Sequence, residues 1–417
     1  MSFLTGLRRL SRALPIPPRV LHRLRRAAGL GFQISAFLRH GMGRTAARPG
    51  PGPICVVGFH GSVLGIGEAA RAFSAALRAA GAEVVDWDIS ALFGHNVKLD
   101  GAWSAAPPPS AGAFAIHLNP RELVQLMAMT GGTPFKDRFC VGCWAWELEE
   151  IPKSWCAAFR YVDEVWTPSR FVALAVSARA PAQLPVRVLP HPLPPTSARP
   201  DRAAFGIPED AVAVLTAFDI KSGFTRKNPI AAVRAFRAAH RKAPGPAVMI
   251  CKVAGGDGAP ELYEELKSEV GRAGDVVLMD AWLTGAQMST LTASIDIVLS
   301  LHRSEGFGLL PAQAMLAGKA VVATAWSGNL EYMTADDAAL VDYRLIPVDD
   351  PQGLYDHGIW ADPDVEQAAA QLAVLMADPD RRRDLGHLAA ARVARVLDPV
   401  RLGRQARVWF GHTEVGV

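Results

Sequence analysis

The stretch SEGFGLLPAQAM, residues 304–315, sets one carboxylate, Glu305, before a glycine-flanked phenylalanine (Gly306, Phe307, Gly308) and an apolar run that opens at Leu309. A carboxylate is comfortable as a cap at the start of a helix, where free N–H groups and the helix dipole favour negative charge. The two glycines would also let a ligand crowd the backbone, and Glu305 could then accept hydrogen bonds from several hydroxyls, as a sugar presents them. Eight residues later Gln313 offers an amide in place of a second charge.

Two other stretches could hold an anion. In TRKNP, 225–229, Arg226 and Lys227 precede a helix whose first turn holds Asn228 and Pro229, so two cations and a helix N-terminus could meet a diphosphate. An exposed basic turn would look similar. In GIGEAA, 65–70, Gly65 and Gly67 fit a loose G-x-G-x-x-A pattern with Asp86 or Asp88 about twenty residues on, the outline of a dinucleotide fingerprint. That fingerprint wants its glycines directly after a strand, whereas residues 58–64 intervene here. The weaker expectation is a glycine-containing loop that opens a helix and leaves N–H groups free for phosphate, with a bare turn as the alternative.

The elements that must position these residues show as an alternation. PGPGP at 49–53 is a break that no helix or central strand tolerates, so the folded part is expected to begin at ICVVGF, 54–59, behind a basic extension and linker, 1–52. Short apolar runs then alternate with amphipathic stretches as far as 192. The proline-rich PHPLPPTSARPD, 190–201, interrupts them, and the alternation restarts at VAVLTAFDI, 212–220. Strand and helix in alternation argue parallel sheets with helices on both faces. The expected fold class is α/β, two Rossmann-like doubly wound domains at 53–192 and 193–398. An amphipathic terminal helix, 399–417, would either return to the first domain or stay on the second. Ligands of open sheets sit beyond the carboxyl ends of the strands, so two such sheets would face each other across a cleft.

Composition narrows the class. A chain of 417 residues, 50% hydrophobic, can bury two cores. No apolar run reaches the roughly eighteen residues of a membrane span. Five cysteines are an odd number scattered through apolar segments, and Cys140-Val-Gly-Cys143 lacks the second pair of a zinc site, so buried, reduced thiols in a cytoplasmic protein are expected. The formal charge of +4 hides an asymmetry, because residues 1–67 hold ten arginines and no acidic residue. Leu, Val and Phe interleave with those arginines as in an interfacial helix, which makes anionic lipid the expected partner. A solvated extension and an Arg-rich targeting peptide are the alternatives, and nucleic acid is not expected.

Taken together, five stretches make the chain resemble the retaining, two-Rossmann-domain (GT-B) glycosyltransferases of the GT4 family over about residues 53–400. They are SLHRSEGFGLLPAQAMLAGKAVVATAWSGNLEYM (300–333), FTRKNPIAAVRAF (224–236), CWAWELEEIPKSW (143–155), DEVWTPSRFVA (163–173) and LGIGEAAR (64–71). The resemblance implies a Glu-x7-Glu donor signature, read here as Glu-x7-Gln, with Glu305 on sugar hydroxyls and Gln313 on ribose hydroxyls. It implies Lys227, with Arg226 beside it, on the diphosphate, and Gly65 and Gly67 in the loop facing it. Gly306 to Leu309 would start the helix near the same group, and Lys221 stands where relatives keep an arginine. His117, in AIHLNP, falls where relatives carry a polar residue near the reacting sugar, with a structural histidine as the alternative. Glu147, Glu149 and Glu150 could bind acceptor hydroxyls while Trp144 and Trp146 stack on a sugar or belong to the core. Asn329, in WSGN, is expected at the donor-sugar rim.

The implied activity is transfer of a hexose, with mannose a candidate, from a nucleotide diphosphate sugar to a glycan or lipid-linked acceptor in surface polysaccharide biosynthesis, on the cytoplasmic face of the membrane. Cations and helix N-termini can stabilise the leaving diphosphate, and no Asp-x-Asp stands where a metal would be expected, so neither metal nor cofactor is expected. Two other readings stand. One is a catalytically weak nucleotide-sugar-binding or scaffold member of a polysaccharide assembly, motivated by Gln313. The other is an NAD-dependent enzyme, motivated by Gly65 and Gly67.

Overall fold

The computed structural model describes residue 31 and residues 48–411 except 51, 96–98, 100 and 109; the arginine-rich stretch expected to meet anionic lipid lies almost wholly outside the described residues. Six parallel strands, β1 (Ile54–Gly58), β2 (Val84–Asp88), β3 (Ala113–Ile116), β4 (Phe139–Cys143), β5 (Glu164–Thr167) and β6 (Val186–Val188), form a sheet ordered β2-β1-β3-β4-β5-β6. Side chains alternate between the faces of a strand, so Cys55 and Val57 of β1 enter one core while Ile54 and Val56 enter another on the opposite face. Helices α1 (Gly65–Ala79), α2 (Pro120–Thr130) and α3 (Arg170–Ser177) link these strands.

The second sheet repeats the plan with β7 (Val212–Asp219), β8 (Ala247–Ala254), β9 (Val276–Asp280), β10 (Ile297–Ser300), β11 (Ala320–Thr324) and β12 (Ala339–Val341), ordered β12-β11-β10-β7-β8-β9 and again parallel. Its helices are α4 (Phe224–Lys227), α5 (Pro229–Lys242), α6 (Pro260–Val270), α7 (Gly285–Ser294) and α8 (Leu309–Leu316). An antiparallel hairpin of β13 (Tyr343–Pro347) and β14 (Ile359–Pro363) then interrupts the alternation before α9 (Val365–Ala377), α10 (Pro379–Val396) and α11 (Pro399–Trp409). Helix α11 lies on α1 of the first domain: a Cβ on Gly403 would come 2.1 Å from the Ala76 carbonyl, and Leu402, Ala406 and Phe410 join the core beneath α1.

Strand order reverses beside β1 in the first sheet and beside β7 in the second, and the segments that follow β1, β3, β7 and β10 therefore meet at the interdomain cleft. Among the described residues no helix is long and apolar enough to cross a membrane. All five cysteines are free; Cys55, Cys140 and Cys251 are buried, whereas Cys156, expected to be buried, is exposed.

Candidate functional site

Glu305 follows β10, and its N–H donates to Ser327 Oγ (2.8 Å). Its carboxylate receives both cations of the segment after β7: Oε1 accepts from Lys227 Nζ, and Oε2 lies 3.0 Å from Arg226 Nη1. Burial alone would push this carboxyl up, but Lys227 and Arg226 overcome it and hold it down at about 2, so Glu305 is ionised. The Arg226 side chain is only 3% exposed. Its guanidinium is spent on Glu305, on the Ser304 carbonyl (2.8 Å) and on the Ser222 carbonyl (2.7 Å). Expected beside Lys227 as a second diphosphate cation, Arg226 is instead a buried strut. Lys227, with its side chain 24% exposed, is the more accessible of the two cations. Lys221 is exposed and lies against Gly258 in the loop after β8 rather than on Glu305.

Across the cleft, a Cβ on Gly65 would lie 3.8 Å from Leu309 Cδ1, so the N-termini of α1 and α8 face each other. Neither has a side-chain cap, which leaves N–H groups and the positive ends of two helix dipoles directed at the gap. Gln313 is half-buried one helical turn beyond Leu309, on the same face of α8, and its amide has no hydrogen bond among the described residues. Gly306 marks where the domains touch: a Cβ there would come 2.7 Å from the Trp146 carbonyl, and its own carbonyl accepts from Ser169 Oγ (2.7 Å). Phe307 is buried against His191 and Tyr332, and Tyr332 donates to the Gly308 carbonyl (2.6 Å). Gly67 answers a different demand, since a Cβ there would collide with the Phe59 carbonyl at 2.4 Å. The packing of its own loop thus requires glycine there, while its N–H belongs to the uncapped first turn of α1.

On the first domain, His117 follows β3 with its ring 5.0 Å from Phe73, and its Nε2 has no hydrogen-bond partner among the described residues. Burial, then the neighbouring His191 and His60, push it well below its ordinary pKa, so the ring is neutral. Trp144, expected as a stacking face, is fully buried against Trp155 and Phe159 and belongs to the core. Trp146 is half-buried, with its ring 4.9 Å from Trp155 and 5.5 Å from Tyr355. Glu147 accepts from the Tyr355 hydroxyl (3.2 Å), and burial raises its carboxyl against the pull of Arg226. Glu149 and Glu150 are exposed, and Glu150 pairs with Arg179 (2.6 Å).

Asn329, expected at the sugar rim, is fully buried and both ends of its amide are spent within the protein: Oδ1 on His302 Nε2 (3.1 Å), Nδ2 on the Thr324 carbonyl (3.0 Å). The two acids of the dinucleotide pattern are likewise engaged, Asp86 with Arg78 (2.8 Å) and Asp88 with Ser90 Oγ (2.6 Å) and the Gly61 N–H (3.2 Å). Tyr355 and Gln352 escaped the sequence reading altogether. The signal that could have found them is the strand-like run at 343–347, which shows that the segment is folded. Among the described residues no group of three or more His, Cys, Asp or Glu could hold a metal ion.

Residues 222–361 match the family model Glycosyl transferases group 1, a span that opens at the Lys227 segment and closes within β14. No curated protein matches the chain in sequence. Among solved structures, Anabaena HepE in complex with UDP and glucose is 15% identical, covering 86% of this chain and 99% of its own at a TM-score of 0.62. Sucrose-phosphate synthase from Thermosynechococcus elongatus is 15% identical over 87% of this chain and 98% of its own, TM-score 0.63. A UDP-forming trehalose-phosphate synthase from Burkholderia xenovorans is 12% identical over 74% and 75%, TM-score 0.53. The fold is that of the GT-B glycosyltransferases, and the match over the domain that carries Glu305 and Lys227 marks the chain as a glycosyltransferase.

Proposed function

We propose that the chain is a retaining, metal-independent hexosyltransferase of the GT4 type, taking its sugar from a nucleotide diphosphate donor. The acceptor is a glycan or a lipid-linked glycan in surface polysaccharide assembly, and mannose is a candidate for the sugar. The observation that carries this reading is the ionised Glu305 paired with a partly exposed Lys227, in a cleft where two uncapped helix N-termini face each other. Neighbouring folds solved with UDP and glucose or with UDP-glucose support a nucleotide-sugar donor.

In this reading Glu305 accepts hydrogen bonds from the donor-sugar hydroxyls, and Lys227 exchanges part of its carboxylate contact for the diphosphate. Gln313 meets the ribose hydroxyls. As the bond between C1 and the phosphate oxygen breaks, the electron pair stays on the diphosphate, where Lys227 and the N-termini of α1 and α8 stabilise it. A phosphate oxygen takes the acceptor hydroxyl proton, and the acceptor oxygen bonds to C1 on the face the diphosphate leaves, which retains configuration without a carboxylate base. Neutral His117 offers a hydrogen bond to the reacting sugar, and Glu147 and Trp146 serve the acceptor. The arginine-rich stretch would hold the enzyme on anionic lipid at the cytoplasmic face.

Purified full chain incubated with a panel of UDP-, GDP- and dTDP-hexoses and a lipid-linked acceptor should release nucleoside diphosphate from one donor. Thermal stabilisation by a donor with no release from any would favour the second reading, a nucleotide-sugar-binding scaffold, which Gln313 in place of a second glutamate motivates. Deleting residues 2–47 should lower binding to anionic liposomes at low salt while the fold persists. Unchanged binding would remove the membrane element of the proposal.

A further inference from the structure

Helix α4, which carries Lys227, is a single turn bounded by Gly223 at φ 108° and Asn228 at φ 54°, so left-handed residues cut it off from its neighbours at both ends. One isolated turn does not hold itself, because helix nucleation is unfavourable. Residues 225–228 are tied down by Arg226 on the Ser304 carbonyl, by Asn228 Nδ2 on the Leu301 carbonyl (3.1 Å) and by Arg303 Nη1 on the Thr225 carbonyl (3.2 Å). The segment ahead of them, 220–224, is held by Arg226 Nη2 on the Ser222 carbonyl (2.7 Å) and, at its two ends, by one side chain from the β13–β14 connection. Gln352 Oε1 accepts from the Phe224 N–H (2.6 Å), and Gln352 Nε2 donates to the Ile220 carbonyl (2.8 Å), so a single amide staples both ends of residues 220–224.

The staple is itself fixed. The Asp350 carboxylate accepts from the N–H groups of Gln352 (3.2 Å), Leu354 (2.6 Å) and Tyr355 (3.2 Å), which shapes the connection into a tight turn. From that turn Tyr355 reaches Glu147 of the first domain (3.2 Å). The Lys227 N–H in turn bonds the Gly223 carbonyl (2.9 Å), inside the stapled loop. Loosening residues 220–224 therefore loosens the peptide that presents Lys227.

We propose that Gln352 is a positioning residue for Lys227: the β13–β14 hairpin sets the diphosphate-binding turn through one amide and registers it against the acceptor-side loop through Tyr355. The link to diphosphate rests on the donor reading above; the link to Lys227 does not.

The test compares full-length wild type with Gln352→Ala and Gln352→Glu, the second keeping an acceptor for Phe224 but losing the donor to Ile220. Calorimetric titration with UDP, GDP and dTDP should show the diphosphate that binds wild type weakened about tenfold in Gln352→Ala, the factor that one to two lost hydrogen bonds supply. Gln352→Glu should fall between. In the nucleoside diphosphate-release assay donor KM should rise in step, and kcat should fall as well, since a displaced Lys227 no longer meets the charge that develops on the leaving diphosphate. Amine labelling of Lys227, read by mass spectrometry without ligand, should accelerate in both variants, while that of Lys319, whose Nζ donates to the Ala293 carbonyl of α7 (2.7 Å), stays unchanged. If Gln352→Ala fails to fold, Gln352→Glu carries the comparison. Unaltered diphosphate affinity together with unaltered Lys227 labelling would overturn the proposal. If wild type binds none of the diphosphates, the donor reading fails, and the Lys227 labelling rate alone upholds or overturns the positioning role.

Discussion

The two edges of the cleft are built on different terms. On the second domain the charges are answered from within: Glu305 by Arg226 and Lys227, and Arg226 by two carbonyls besides. On the first domain the polar groups wait. His117 Nε2 has no partner among the described residues, and Glu147 is met by a hydroxyl that comes from the other domain. A group that must stabilise developing charge is useful only if it is already oriented, and ion pairs within the protein provide that orientation in advance. A group that recognises an acceptor can be completed by the acceptor.

The largest effect expected from that contrast is Glu305→Ala against Glu147→Ala. The first leaves a buried Arg226 without its carboxylate, which should cost about 3 to 5 kcal/mol of stability in urea unfolding, and turnover should fall on the order of a hundredfold or more. Glu147 is half-buried and held by one hydrogen bond, so its removal should cost about 1 kcal/mol. Equal losses of stability would dissolve the contrast, and a fully active Glu305→Ala enzyme would displace the site.

Lys227→Ala is expected to separate the two functions of the answered edge. Glu305 retains Arg226, so the fold should lose about 1 kcal/mol, the range of an ion pair with one partly exposed partner. Nucleoside diphosphate affinity should nonetheless fall by tenfold or more, through loss of a charge-assisted contact of about 1.5 to 3 kcal/mol, read by calorimetry. Affinity unchanged would mean that the Lys227 ammonium serves the fold alone.

Acidity should pull the edges in opposite directions. Glu305 is held down at about 2 from an ordinary 4.5, so its contribution to stability is present above 4.5 and is lost as pH falls toward 2. Glu147 is raised above 4.5, so the folded state binds its proton more tightly, and its contribution declines as pH rises past 4.5. Urea midpoints between pH 2 and 7 should therefore lose their acid-side slope in Glu305→Gln and their opposing component in Glu147→Gln. Parallel pH profiles for the two variants would contradict the assigned environments.

This asymmetry also explains what could be read from the sequence. Apolar runs in alternation with amphipathic stretches expose two doubly wound sheets, because a buried parallel strand has to be apolar on both faces, as β1 is. Glu305 and Lys227 stood out because their types and their places after apolar runs fit one chemistry. Arg226 did not separate from Lys227, since adjacent cations look alike until one of them turns inward. Trp144 and Trp146, two residues apart, likewise parted only in three dimensions, one into the core and one toward Tyr355. For Gln352 and Tyr355 the strand-like run at 343–347 marks only a folded segment; their partners lie 128 and 208 residues away, a relation no local pattern encodes.

Gln313 is where the answered edge resembles the open one, a half-buried amide on the cleft face of α8 with no hydrogen bond among the described residues. Gln313→Glu tests whether that opening belongs to the donor. A ribose hydroxyl donating to a carboxylate in place of an amide oxygen should gain about 1 kcal/mol, the difference between charged and neutral hydrogen bonds, which is roughly fivefold in affinity. Burial of the new charge subtracts from that gain, and its place as the fifth of the eight residues of α8 brings it no help from the helix dipole. The expected outcome is donor KM lowered by no more than about fivefold with kcat unchanged, because ribose contacts are the same in ground and transition states. A change confined to kcat would move Gln313 away from the ribose and toward the reacting sugar. No change in either constant would take it out of the donor site, and the open amide would then belong to the surface of α8 alone.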